Sequence, residues 1–137
     1  MSTSRIVMIV DDDQVHHFIY SEMVAETQLA HSVLSHYDGR GALDYLKQHQ
    51  DTAAQLPDLI LLDLNMPRMN GWEFLDLYAD LCSSLAKCPR VLVLSSTVYQ
   101  KDIDRVLAHE HVAEFVPTPV TEAKLLRIRK KYFADAS

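Results

Sequence analysis

An acidic triplet, a lone aspartate and a run of hydroxyls carry the chemistry that the residue types allow. Asp11, Asp12 and Asp13 follow directly on an apolar run, Asp63 closes a second run, and Ser95, Ser96 and Thr97 close a third. If these runs are neighbouring parallel strands, at least three carboxylates share one rim. Crowded like charges raise one another's pKa values, and a hard divalent cation bound through oxygen relieves the repulsion. Mg²⁺ suits such a rim, because it keeps several waters and takes one or two carboxylates plus phosphate oxygens. A hydroxyl beside it can donate to the anion that the metal holds. Together these groups describe a site that accepts a phosphoryl group on an aspartate. Plainer roles are open to some of them: Asp13 can cap a helix, and residues 95–97 can simply form a turn.

The elements that would position these groups alternate along the chain. Residues 5–10, 31–35, 59–62 and 91–94 are apolar and rich in β-branched side chains, with a weaker fifth run at 114–116. Successive apolar residues, as in LILL and VLVL, mark strands covered on both faces, the pattern of a parallel sheet between helices. Helical spacing follows each strand: Val15, Phe18, Ile19 and Met23 after the first, and Phe74, Leu75, Tyr78, Leu81, Cys82 and Leu85 within 71–86. Shorter amphipathic stretches lie at 41–49, 101–109 and 122–133. The order predicts an α/β doubly wound, five-stranded parallel sheet of flavodoxin-like type, ordered 2-1-3-4-5. Ligands of such sheets bind outside the carboxyl ends of the strands, which is where the acidic groups fall. Pro117 and Pro119 place the fifth strand at an edge.

Composition narrows the function classes. The 137 residues allow one domain, and 48% hydrophobic with 23% charged residues is enough for a packed core. A net charge of −6 disfavours a direct grip on nucleic acid. No run approaches the length of a membrane span or fits a signal peptide, so a cytoplasmic protein without membrane insertion is expected. Cys82 and Cys88 show no metal-ligand spacing, which predicts free thiols rather than a disulfide or a zinc site. The seven histidines form no spaced pair on one helix and read as surface or partly buried. The basic stretch 127–131 complements a helix dipole.

The segments IVMIVDDD, DLILLDLNMPRMNGWEFL, VLVLSST and FVPTPVT resemble the receiver domain of two-component response regulators over about residues 5–133. The resemblance implies a single receiver domain over 1–137 that signals through protein contacts and is not an enzyme. It implies Asp63 as phosphoacceptor, with Asp11, Asp12, Asp63 and the Asn65 carbonyl around Mg²⁺. Ser95 and Phe115 would be the switch residues, and Asn65 and Thr97 occupy positions that tune dephosphorylation. A histidine kinase or phosphotransfer protein would be the donor, an unidentified protein the downstream partner, and the chain a monomer or weak dimer.

One departure stands out: the family's lysine at the end of the fifth strand is replaced by Thr118, followed by Pro119. A neutral hydroxyl then faces the phosphoryl group, and its hydrogen bond is about half as strong as a charge-assisted one. Two alternatives to a working receiver remain at this point. One is a pseudo-receiver that binds partners without phosphorylation, and the other a Mg²⁺-dependent aspartyl phosphohydrolase. The Thr118–Pro119 bond resembles the family's cis peptide, Lys101 or Lys124 could replace the missing cation, and Trp72 is expected near the pocket.

Overall fold

The computed structural model describes residues 5–64, 70–97 and 99–133. The elements are β1 (Ile6–Val10), α1 (Gln14–Thr27), β2 (Ser32–His36), α2 (Gly39–Gln48), β3 (Leu59–Asp63), α3 (Gly71–Cys82), β4 (Arg90–Ser95), α4 (Gln100–Leu107), β5 (Val112–Pro117) and α5 (Glu122–Tyr132). The strands pair in parallel in the order β2-β1-β3-β4-β5, as the alternation of runs predicts.

The continuous apolar runs of β1, β3 and β4 have a direct cause: their alternate residues enter two different cores. Met8, Val10, Ile60, Leu62, Val91 and Val93 pack with Leu43, Leu46, Phe74, Leu75, Tyr78 and Val106 from α2, α3 and α4. Val7, Ile9, Leu59, Leu61, Leu92 and Leu94 pack on the other face with Tyr20, Val24, Leu125 and Ile128 from α1 and α5. Period-2 alternation of side chains makes a strand between two cores apolar at every position. β5 is weaker in sequence because it lies at the edge and buries only part of its length.

Local signals fix the helix starts. The Asp13 carboxylate accepts from the Val15 and His16 amides and so caps α1. Asn70 and Glu73 form a reciprocal capping box on α3. Gly71 is required by close approach, since a Cβ there would lie 2.7 Å from the Leu64 Cα.

Three expectations are corrected. Val15, Phe18 and Ile19 do not face the core; they are exposed, while His17, Tyr20, Val24 and Thr27 are buried. Both sets have helical spacing; on the inward face His17 Nε2 donates to the Asp11 carbonyl and the Thr27 hydroxyl to the Met23 carbonyl, while His17 Nδ1 is buried with no hydrogen-bond partner among the described residues. The third helix ends at Cys82 rather than continuing to residue 86, and Cys82 is disulfide-bonded to Cys88. The thiols are therefore not free: the turn after α3 brings their Cα atoms to 5.6 Å, a pairing that spacing alone does not reveal.

Candidate functional site

The carboxyl ends of β1 and β3, adjacent in the sheet, bring the acidic residues together. Asp11 is 2% exposed, Asp63 half-buried and Asp12 exposed. One carboxylate oxygen from each lies within 4.8 Å of the other two. An octahedral ion holding oxygens at about 2.1 Å sets opposite oxygens roughly 4.2 Å apart, so this donor set fits a hard cation such as Mg²⁺ with little movement. Asn65 lies outside the described residues.

Asp11 is held from several sides. Its Oδ1 accepts from the Asp13 amide at 2.9 Å, and its Oδ2 lies 2.9 Å from His16 Nδ1. Its carbonyl accepts from His17 Nε2 at 2.7 Å, which fixes the Nε2–H tautomer of that buried ring. Spacing alone assigns these two histidines no part in the site. The available signal was their place three and four residues after Asp13, where the first turn of α1 turns back over the rim. Burial tends to lower the pKa of His16, but its bond to Asp11 and the charges of Asp11, Asp13 and Asp63 outweigh this and raise it.

The remaining wall comes from β4 and from the chain after β5. Asp11, Asp63, Ser95, Ser96, Thr118 and His16 line a cavity of about 580 Å³, together with Ile19, Tyr20 and Pro119. The buried Ser95 hydroxyl accepts from the Thr97 amide at 3.1 Å, and the Thr97 hydroxyl donates to Asp102 in α4 at 3.0 Å. The Thr118 amide donates to the Ser95 carbonyl at 3.1 Å, and the Thr118–Pro119 bond is cis. Phe115 is half-buried against the core beneath α4.

Lys124 does not line the cavity. Its ammonium donates to the Pro117 and Pro119 carbonyls at 2.6 and 2.8 Å, fastening the loop on both sides of Thr118. His16 is the basic side chain on the cavity wall among the described residues. Trp72 also lies away from the wall, with the Arg105 guanidinium 4.0 Å from its ring centre, so it reports the contact between α3 and α4. The basic stretch of α5 does more than complement a dipole: Arg127, Lys131 and Tyr132 converge on Glu114 of the edge strand.

Comparison with known proteins agrees with this architecture. A family model described as the response regulator receiver domain matches residues 7–129. A two-component response regulator from Cytophaga hutchinsonii superposes with a TM-score of 0.84 at 26% identity, covering 97% of this chain and 99% of that one. The probable methanogenesis regulatory protein FilR2 of Methanothrix harundinacea is 27% identical over 89% of the chain and 77% of its own length. An uncharacterised response regulatory protein of Staphylococcus epidermidis is 31% identical over 89% of the chain, which spans only 44% of that longer relative. Receiver domains are signalling modules that typically bind Mg²⁺ at the acidic pocket and interact with kinases or phosphotransfer proteins and with downstream targets. None of the described helices is long and apolar enough to cross a membrane. With the sheet order, the acidic rim and the family match in agreement, this chain belongs to the response regulator receiver domain family of two-component signalling.

Proposed function

We propose that this chain acts as one cytoplasmic receiver unit that accepts a phosphoryl group on Asp63 from a histidine kinase or phosphotransfer protein. The observation that carries this reading is the convergence of Asp11, Asp12 and Asp63 oxygens beside a cavity walled by Ser95 and Thr118. An Asp63 oxygen attacks the phosphorus of the donor's phosphohistidine. The P–N bond breaks, and the leaving imidazole keeps the bonding electron pair and takes a proton. Asp11, Asp12 and Asp63, with the Asn65 carbonyl, would hold Mg²⁺, which supplies charge neutralisation to the phosphoryl oxygens. Thr118 offers them a neutral hydroxyl. Ile19 lines the cavity, and with the exposed Val15 and Phe18 of the same helix it gives a donor protein an apolar surface to rest on.

The signal then leaves through Ser95. Drawing its hydroxyl to a phosphoryl oxygen competes with the bond from the Thr97 amide, and Thr97 is tied to Asp102 of α4. The turn between β4 and α4, with Phe115 beside it, thus exists in two arrangements whose balance phosphorylation shifts. A downstream protein reads that surface.

Thr118 favours a second reading, a pseudo-receiver that binds partners without a phosphorylation cycle. Titration with beryllofluoride and Mg²⁺, followed by amide NMR, separates the two. A receiver shows saturable shifts at Ser95, Thr97 and Phe115 that vanish in Asp63→Asn. A pseudo-receiver shows none.

A further inference from the structure

At the opposite end of the sheet the structure gathers a second set of ligands, softer than the first. Cys82 ends α3, Cys88 leads into β4 and His111 leads into β5. The three side chains each place a ligand atom within 4.8 Å of the others, and Cys88 Sγ lies 3.7 Å from His111 Nδ1. In a tetrahedral site with Zn–S about 2.3 Å and Zn–N about 2.0–2.1 Å, sulfur and nitrogen are roughly 3.6 Å apart. We propose that Cys82, Cys88 and His111 form a Zn²⁺ site in the reduced protein, with disulfide and metal as mutually exclusive occupants of one place.

The surroundings suit a metal site. An exposed Glu110 carboxylate lies 3.8 Å from His111 Nε2, an anion close to the nitrogen that does not face the sulfurs. The Tyr78 ring meets His111 edge-on with centroids 5.7 Å apart, and its hydroxyl is anchored on the Pro89 carbonyl at 2.6 Å. Cys82 is buried, whereas Cys88 is exposed on a cavity of about 260 Å³ that it lines with His111 and Glu110. Metal and reductant can therefore reach the pair, and water can take the fourth position.

A small dithiol passes two electrons and two protons to the disulfide, becomes a disulfide itself and leaves two protein thiols. On metal entry each thiol gives its proton to solvent and each thiolate binds through sulfur, while His111 contributes its Nδ1 lone pair. The site is independent of Asp63 and of the phosphorylation proposed above.

Co²⁺ is the probe. The chain is reduced with a phosphine, freed of metal and titrated while the near-ultraviolet thiolate-to-cobalt absorption is read, a signal that carboxylates at the acidic rim do not give. The expected result is saturation at one equivalent, bleaching by Zn²⁺ and no band in the oxidised protein. Cys88→Ser, at an exposed position, loses the band with its fold intact by circular dichroism. His111→Gln binds at least about tenfold more weakly. Asp12→Ala is unchanged. A reduced wild type without the band, or a His111→Gln variant that binds as tightly as wild type, overturns the proposal.

Discussion

The two ends of this sheet present opposite coordination chemistries on one scaffold. At the carboxyl ends of β1 and β3 the ligand atoms are carboxylate oxygens, suited to a hard cation. At the amino ends of β4 and β5 they are, once the disulfide is reduced, two sulfurs and an imidazole nitrogen, suited to a borderline-soft one. The acidic rim is built by residues that directly end strands, so it is legible in sequence. The sulfur rim is assembled in two steps: the turn after α3 pairs residues 82 and 88, and the pairing of β4 with β5 adds residue 111. A parallel sheet thus assembles sites from distant segments at both ends, but only strand-end motifs announce themselves.

Gly71→Ala gives the largest expected effect. Its Cβ would meet the Leu64 backbone at 2.7 Å, and overpacking of this kind costs roughly 1–3 kcal/mol, read as a lower urea midpoint. The displaced segment follows Asp63, so the acidic rim should lose Mg²⁺ affinity while the sulfur rim keeps its cobalt signal. Asp12→Ala should weaken Mg²⁺ binding at least tenfold, or about 1.4 kcal/mol, by calorimetry, with stability nearly unchanged because Asp12 is exposed.

His16→Gln should strengthen Mg²⁺ binding a few-fold near neutral pH, since the imidazolium competes with the metal for Asp11. Its folded pKa is raised above 6.5, so its contribution to stability is fully present below that value and is lost as pH rises through the folded pKa. Mg²⁺ affinity should accordingly rise with pH over the same window in wild type, and much less in His16→Gln.

Glu114→Gln should have the smallest effect. Burial would raise the Glu114 carboxyl, but bonds from Arg127 and Tyr132 and the charges of Arg127 and Lys131 hold it below the ordinary 4.5. The stabilisation is therefore present above pH 4.5 and fades as pH falls through the folded value. With Arg127 and Lys131 about half exposed, it should amount to well under about 1 kcal/mol at pH 7 in urea unfolding.

What sequence could and could not convey follows the same division. The strands were legible because β1, β3 and β4 are buried on both faces, and Asp11, Asp12 and Asp63 because they end strands. The inward face of α1 was not, since its exposed side carries Val15, Phe18 and Ile19 while its buried side carries His17 and Thr27. Hydropathy points the wrong way there, and only the hydrogen bonds to the Asp11 and Met23 carbonyls explain the choice. Lys124, like Lys101, is near enough in sequence to stand in for the missing lysine, yet two backbone carbonyls hold Lys124 beside Thr118 and outside the cavity.

Phosphorylation of Asp63 despite Thr118 can be read by intact-mass spectrometry after incubation with acetyl phosphate and Mg²⁺. Wild type should gain the mass of one phosphoryl group, Asp63→Asn should gain none, and Thr118→Lys should gain at least as much as wild type. No gain in wild type, with gain restored in Thr118→Lys, would contradict the claim and leave a pseudo-receiver disabled at that position.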